Sequence, residues 1–199
     1  MPVTAQKWFC AAKQRRNEED MKKVLREILS TSLYLLIVLC LTYVVIHFIG
    51  QRTQVVGQSM ENTLSNDDNL IVDKLTYRFR DPKRFDIVVF PFQYEKDTYY
   101  IKRIIGMPGE TVYIDERGTI YINEEELEEN YGKETIEDAG RAYEPITLGE
   151  DEYFVMGDNR NNSSDSRDPV VGNISRSDII GRAWIRIWPL NKFGILKHQ

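Results

Sequence analysis

A long uncharged apolar stretch dominates the first quarter of the chain. Glu27 is the last charged residue before it and Arg52 is the next, and residues 28–51 between them are mostly Leu, Ile, Val, Tyr and Phe. A bilayer core about 30 Å thick requires about 20 apolar helical residues. The stretch therefore predicts one membrane-spanning helix over residues 28–51. A buried core helix is the alternative, but such helices usually carry a polar face, and this stretch has almost none.

The residues on either side of this stretch predict its orientation. Residues 1–27 contain seven basic side chains, and basic residues favour the cytoplasmic side of a membrane. We therefore expect residues 1–27 to be a cytoplasmic tail and residues 52–199 to form an extracytoplasmic domain at the plasma membrane. A cleaved signal peptide is a weaker alternative, because its apolar region is shorter and a small-x-small cleavage site should follow, whereas GQR follows here.

Beyond residue 52 the apolar residues occur in short runs separated by turn residues. Short runs rich in Val, Ile, Tyr and Phe between Gly, Pro, Asn and Asp are typical of β-strands. The pattern predicts a mainly β domain, an antiparallel barrel or sandwich-like body. The runs lie at residues 70–73, 86–90, 99–105, 111–114, 153–156 and 183–187.

A strongly acidic segment interrupts this pattern. Five glutamates fall between residues 124 and 129, and few apolar residues follow before Ile146. We interpret residues 115–150 as a small solvated cap inserted into the β domain. A simple polar surface loop would have the same composition, so this alternative stays open.

Composition excludes several classes of function. The chain has a net charge of −5 and shows no basic stripe interleaved with aromatic residues, which argues against nucleic-acid binding. Its two cysteines, Cys10 and Cys40, precede the β domain, and its two histidines are His47 and His198. The β domain therefore lacks the cysteines for a disulfide framework or a cysteine-based zinc site, and its one histidine, His198, is the penultimate residue of the sequence, which argues against a Ser-His-Asp triad. We expect neither a metal nor an organic cofactor.

A hydrolase without cysteine or histidine can use a serine activated by lysine. A lysine with its ordinary pKa near 10.4 is protonated at neutral pH, so a lysine base must be buried in apolar surroundings. Lys102 lies inside an apolar strand-like run, and Ser59 follows soon after Gly57, whose missing side chain would let a substrate approach. Taken singly, a lysine on the solvent face of a strand and a serine in a surface turn are the commoner situations.

Residues 157–168 form a third polar segment, GDNRNNSSDSRD. Its side chains readily hydrogen-bond their own backbone and shape tight loops. A calcium-binding loop is an alternative, but the central glycine and terminal glutamate of an EF-hand are missing. A structured loop that supports a site is the better interpretation, and a plain surface loop remains possible.

Together these segments resemble the motifs of bacterial type I signal peptidases, in order, in spacing and in the apolar helix that precedes them. The sequence GQSM at residues 57–60 is similar to the nucleophile motif, and RFDIVVF at residues 84–90 to the strand motif after it. YIKRIIGMPG at residues 100–109 is similar to the lysine motif, and residues 157–167 resemble the final motif. The resemblance covers nearly the whole chain beyond residue 28.

The resemblance implies a function and a role for individual residues. The enzyme would remove signal peptides from exported preproteins in the bilayer, cutting after small residues, without a cofactor. Ser59 would be the nucleophile, with its backbone N–H in the oxyanion hole, and Lys102 the general base. Supporting roles would fall to Ser163, which would orient the lysine amine, and to an ion pair between Asp165 and Arg167. Residues that would line the substrate pocket are Met60, Tyr100 and Ile101.

One departure from the family pattern concerns the residue three positions after the nucleophile. The family usually has a proline there, where this chain has Asn62. Since proline fixes the backbone dihedral φ, we expect asparagine to loosen the turn. A non-enzymatic assembly factor related to signal peptidases is therefore an alternative function, although such proteins typically lack the serine or the lysine. A self-cleaving Ser-Lys repressor is a third possibility, against which the apolar stretch argues.

Overall fold

In the computed structural model of the chain, the backbone is described for residues 3–44 and 50–196, and side chains from residue 20 onward. The chain divides into two compact units, Met1–His47 and Phe48–Gln199. The first unit contains helix α1, Val3–Val44. Within it Asp20–Val44 is long and apolar enough to cross a membrane. The anchor predicted over residues 28–51 is thus helical as far as Val44. Residues 45–49 lie outside the described residues, and residues 50 and 51 belong to a strand.

The second unit consists mainly of β-strands. All six apolar runs singled out in the sequence are strands, with boundaries that differ by at most two residues. The strands among the described residues are β1 Gly50–Gln54, β2 Asn69–Asp73, β3 Ile87–Pro91, β4 Tyr99–Gly106, β5 Thr111–Ile114, β6 Ile120–Ile122, β7 Glu125–Glu126, β8 Ile146–Thr147, β9 Glu152–Met156, β10 Ile174–Ser175, β11 Gly181–Trp188 and β12 Gly194–Ile195. Short 3-10 turns lie at Thr76–Arg78, Gly140–Tyr143, Arg176–Asp178 and Leu190–Lys192.

Eight of the strands form the main sheet, in the order β1-β2-β11-β3-β4-β9-β10, with β12 paired to β11. All of its pairings are antiparallel, which confirms the predicted fold class. Strand β4 lies between β3 and β9. In the register between β3 and β4, Lys102 is paired with Val88 and Arg103 with Ile87. The last five residues of β4, from 102 to 106, are all buried, because its neighbours and the packed loops cover both of its faces.

The acidic segment belongs to a second, smaller sheet with strand order β7-β6-β5-β8. Alternate residues of β5 and β6 are buried, as expected for a sheet with one solvated face. The buried face packs with Ile136, Ala142 and Leu148 into one apolar cluster. This part of the chain thus has an apolar cluster of its own, to which residues on both sides of the acidic run contribute.

Candidate active site

The structure brings Ser59 and Lys102 into direct contact. Lys102 lies on β4, and Ser59 lies in a turn that follows β1. The Lys102 Nζ atom is 2.7 Å from the Ser59 Oγ atom. This is the distance that proton transfer between a nucleophile and its base requires. The two residues are 43 positions apart in sequence, so the contact is a product of the fold.

The Lys102 side chain is in the environment that a lysine base needs. The residue is only 4% exposed. Burial lowers the pKa of Lys102 from its ordinary value of 10.5 to about 8, and the nearby carboxylates of Asp165 and Asp158 partly oppose this change. The amine also lies 5.0 Å from the centre of the Tyr100 ring. Because desolvation disfavours the ammonium form, a substantial fraction of Lys102 is neutral slightly above neutral pH.

A cleft of about 570 Å³ opens beside Ser59. Its lining comes from residues 53–59, from residues 97–102, and from Val89, Asn162 and Ser164. Ser59 and Lys102 are therefore both in its lining.

The three residues expected to line a substrate pocket differ in their position relative to this cleft. Tyr100 and Ile101 contribute to the cleft. Met60 is not among the residues that line it, because its side chain is 1% exposed and packs with Val55, Leu64 and other residues of an apolar cluster. The turn at Ser59 directs the hydroxyl toward the cleft and the next side chain into the core.

The polar loop at residues 157–168 packs directly against the nucleophile. The Asn159 backbone N–H donates to the Ser59 carbonyl oxygen at 3.0 Å, and the Asn159 side chain donates to the Gln58 carbonyl oxygen at 3.0 Å. At Gly157 a Cβ atom would lie 2.4 Å from the Ser59 carbonyl oxygen and 2.3 Å from the Ser163 Oγ atom. Only glycine permits so close an approach, which explains why the loop begins with one.

Ser163 lies beside the nucleophile turn, across Gly157. Its hydroxyl is buried and has no hydrogen-bond partner among the described residues. The hydrogen bond expected between Ser163 and Lys102 is therefore not formed in the structure. A buried hydroxyl without a partner is unfavourable and uncommon outside functional sites.

Asp165 and Arg167 form a bidentate ion pair within the same loop. The Arg167 Nε and Nη2 atoms each donate to one Asp165 carboxylate oxygen at 2.9 Å. The Asp165 carboxylate also accepts from the Gly157 backbone N–H at 3.0 Å, and the Arg167 guanidinium donates to the carbonyl oxygens of Arg160 and Asp138. The pair thus ties the two ends of the loop together and joins it to the cap.

A second buried ion pair was missed in the sequence. Arg103 and Asp158 have side chains with no solvent exposure, and the guanidinium donates to both carboxylate oxygens at 2.8 and 2.6 Å. Arg103 also donates to the Thr63 hydroxyl at 3.0 Å, and its guanidinium carbon lies 3.6 Å from the centre of the Tyr131 ring. The only signal in the sequence was that both residues stand in the quoted motifs. The pair links β4, the polar loop and the cap.

Asn62 does not form the loosened turn that was expected from the missing proline. Its φ angle is +101°, in a region that proline cannot reach because its ring fixes φ near −65°. The Thr63 backbone N–H donates to the Met60 carbonyl oxygen at 3.1 Å and closes the turn. The Asn62 side chain donates to the Tyr131 carbonyl oxygen at 2.9 Å. Asn62 therefore lies in a closed turn whose positive φ angle a proline at this position could not adopt.

Comparison with known proteins identifies the family of the chain. Residues 28–188 match the family model described as signal peptidase, peptidase S26. The chain belongs to the type I signal peptidase family. It is 42% identical over 156 residues to a probable signal peptidase I-2 of Synechocystis sp., an alignment that comprises 75% of this chain and 68% of the relative. It is 38% identical over 165 residues to signal peptidase I P of Bacillus subtilis subsp. natto, covering 79% and 88% of the two chains.

One solved structure is also similar. The crystal structure of a signal peptidase I from Enterococcus faecalis shares 34% sequence identity, covers 52% of this chain and 97% of its own, and gives a TM-score of 0.43. The family model and the two bacterial relatives, rather than this structure, show that the chain is a peptidase that removes signal peptides, and neither relative supports the assembly-factor alternative. Among the described residues no group of three or more His, Cys, Asp or Glu side chains could hold a metal ion.

Proposed function

We propose that this signal peptidase cleaves its substrates with Ser59 as nucleophile and Lys102 as general base. The observation that carries the proposal is the 2.7 Å contact between the Ser59 hydroxyl and a lysine amine that is 4% exposed. Among the described residues there is no histidine, so the lysine is the base that the geometry offers. Its pKa of about 8 leaves it neutral often enough to accept a proton.

The reaction proceeds in two steps. The neutral Lys102 amine takes the proton from the Ser59 hydroxyl while the serine oxygen attacks the scissile carbonyl carbon. The ammonium then gives this proton to the departing amine, and the acyl group stays on Ser59. In the second step Lys102 takes a proton from water, the hydroxide attacks the ester, and the proton returns to the serine. The Ser59 backbone N–H serves as a donor to the oxyanion.

Ser163 and the Asp165–Arg167 pair act on the base and on the loop around it. The Ser163 hydroxyl is buried without a partner among the described residues, beside the nucleophile. It can therefore form a hydrogen bond with a group that approaches it during the reaction, and we assign this group as the Lys102 amine. Asp165 and Arg167 hold residues 157–168 closed around Ser59 through their own ion pair.

The substrate adds to the sheet as an extended strand. Residues 99–102 of β4 pair with β3 on one side, whereas the pairing of β4 with β9 on the other side begins only at Arg103. A peptide laid along this free edge would pass Ser59 and place its side chains alternately into the cleft. The preprotein substrates of this peptidase carry small side chains, usually alanine, at the first and third positions before the cut.

The proposed topology follows from the first unit. The basic residues 1–27 stay in the cytoplasm, the apolar segment that begins at residue 28 anchors the chain in the plasma membrane, and the residues from strand β1 onward form the extracytoplasmic catalytic domain. The apolar segment of the substrate lies in the same bilayer as this anchor. Confinement to the bilayer raises the local concentration of the substrate around the enzyme.

The experiment is cleavage of a peptide with an Ala-x-Ala site by the detergent-solubilised full chain, beside Ser59→Ala and Lys102→Met. We expect cleavage after the second alanine by the parent and none by either variant. The chain offers a matched control, because the exposed Lys192 amine donates to the Ser65 hydroxyl at 3.2 Å. Ser65→Ala and Lys192→Met should cleave at the parent's rate. Full activity of Ser59→Ala or Lys102→Met would refute the assignment.

A further inference from the structure

The turn that follows the nucleophile depends on an unusual backbone conformation at Asn62. Its φ angle of +101° lies outside the regions that side chains with a Cβ atom usually adopt. In a four-residue turn closed by the Thr63 N–H and the Met60 carbonyl oxygen, a positive φ at the third position favours glycine or asparagine. The turn begins one residue after Ser59, so its conformation sets the direction in which the backbone leaves the nucleophile.

The turn is tied to a segment of the cap, residues 129–137, which we term the strap. The Asn62 side-chain amide donates to the Tyr131 carbonyl oxygen at 2.9 Å. The neighbouring Glu61 carboxylate accepts from the Lys133 amine at 2.9 Å. Both links join the nucleophile turn to a segment that contributes no residue to the cleft.

The strap is itself fixed to the rest of the site. The Lys133 backbone N–H donates to the Asp158 carbonyl oxygen at 2.8 Å, and the Tyr131 ring covers the guanidinium of buried Arg103. Asp158 belongs to the same loop as Ser163, and Arg103 belongs to the same strand as Lys102. The strap thus connects the element that carries the nucleophile with the elements that carry its base.

We propose that Asn62 is a positioning residue that keeps the Ser59 hydroxyl aligned with Lys102, by supplying both the positive φ of the turn and the hydrogen bond to the strap. The inference deepens the proposed function and rests on it. The two contributions can be separated by substitution. Glycine reaches the same φ but has no amide donor, and aspartate tolerates the φ but cannot donate. Proline can do neither.

The experiment measures kcat and KM for Ala-x-Ala peptide cleavage by the full chain and its Asn62→Gly, Asn62→Asp and Asn62→Pro variants, with the thermal unfolding midpoint of each. Losing one hydrogen bond should lower kcat about three- to tenfold in the glycine and aspartate variants. In the proline variant misplacement of the nucleophile should lower kcat about a hundredfold or more. KM should stay within about twofold of the parent value, because Asn62 does not line the cleft.

Asn123 provides a matched control in the small sheet. It also has a positive φ, +50°, and its side-chain oxygen accepts from the Thr111 backbone N–H at 2.9 Å. Asn123→Gly should lower the unfolding midpoint about as much as Asn62→Gly and leave kcat at the parent value. An equal fall of kcat in both glycine variants would attribute the effect to general destabilisation and overturn the inference.

The outcomes also separate this inference from the proposed function. Parental kcat in all three Asn62 variants, with an active parent and an inactive Ser59→Ala, overturns the role of Asn62 alone. Activity of Ser59→Ala overturns the catalytic assignment, whatever the Asn62 variants do.

Discussion

Replacing Lys102 by methionine should stabilise the folded protein at neutral pH while abolishing cleavage. Methionine has nearly the same length and no charge, so it fills the site without the cost of desolvating an ammonium group. The structure gives that cost through the pKa of Lys102, which burial lowers from 10.5 to about 8 against the opposing charges of Asp165 and Asp158.

The magnitude follows from the two pKa values. One pH unit of pKa difference corresponds to about 1.4 kcal/mol, so the buried ammonium destabilises the fold by about 3 kcal/mol at pH values well below 8. Because the folded pKa is lower than the unfolded one, the unfolded chain binds the proton more tightly between pH 8 and pH 10.5. The stability of the parent relative to Lys102→Met should therefore rise with pH, by about 2 kcal/mol between pH 7 and pH 9.5.

The measurement is urea unfolding of the detergent-solubilised parent and variant at several pH values from 7 to 9.5. Titration of all other groups is common to both proteins and cancels in the difference. The exposed Lys192→Met variant, which removes the same charge from the surface, should show no such trend. A parent-to-variant difference that is constant from pH 7 to pH 9.5 would refute the argument that Lys102 is a desolvated base. The cleavage rate of the parent should rise through half its maximum near pH 8 for the same reason.

Three further predictions concern the surroundings of the dyad. Ser163→Ala should lower kcat about tenfold with an unchanged or higher thermal midpoint, because the substitution removes a buried hydroxyl that has no partner to lose among the described residues. A fall in the midpoint without a fall in kcat would contradict the proposed role. Arg103→Met should lower the free energy of unfolding by about 3–5 kcal/mol in urea titrations, since it leaves the Asp158 carboxylate buried and unpaired. Gly157→Ala should abolish cleavage, because its Cβ atom would lie 2.4 Å from the nucleophile's carbonyl oxygen. Gly194→Ala, whose Cβ atom would meet nothing within 4 Å, should cleave normally.

The strands could be predicted because their signal is local. Runs such as residues 87–91 and 99–106 are rich in β-branched and aromatic residues and end at turn residues, and each condition acts within a few positions of the chain. Strands β1, β6, β7, β8, β10 and β12 were missed. The last four have only two residues each and β6 only three, which is too short to show a periodicity, and β1 consists mostly of polar residues. They exist only because a neighbouring strand offers them backbone hydrogen bonds.

The contacts within the site could be anticipated only in part. The resemblance named Ser59 and Lys102, but their separation of 2.7 Å depends on the fold of the intervening residues. The burial of Met60 could not be foreseen, because the direction of a side chain in a turn depends on backbone angles that the sequence does not specify. The positive φ at Asn62 is a similar case. Asparagine permits that angle, and the contact with the strap, 69 residues away, is what selects it.

Two buried arginines of the site, Arg103 and Arg167, are paired with the carboxylates near the lysine base. Asp158 and Asp165 are the carboxylates whose charges act on Lys102, and each of them raises its pKa. Each, however, is held by a bidentate arginine, Arg103 for the first and Arg167 for the second. An arginine keeps its charge at any ordinary pH, so each carboxylate has a positive charge of its own beside it. Desolvation is the largest influence on the pKa of Lys102, and the amine stays neutral often enough to accept the serine proton. The loop therefore supplies buried polar groups that give it shape without restoring the charge on the base.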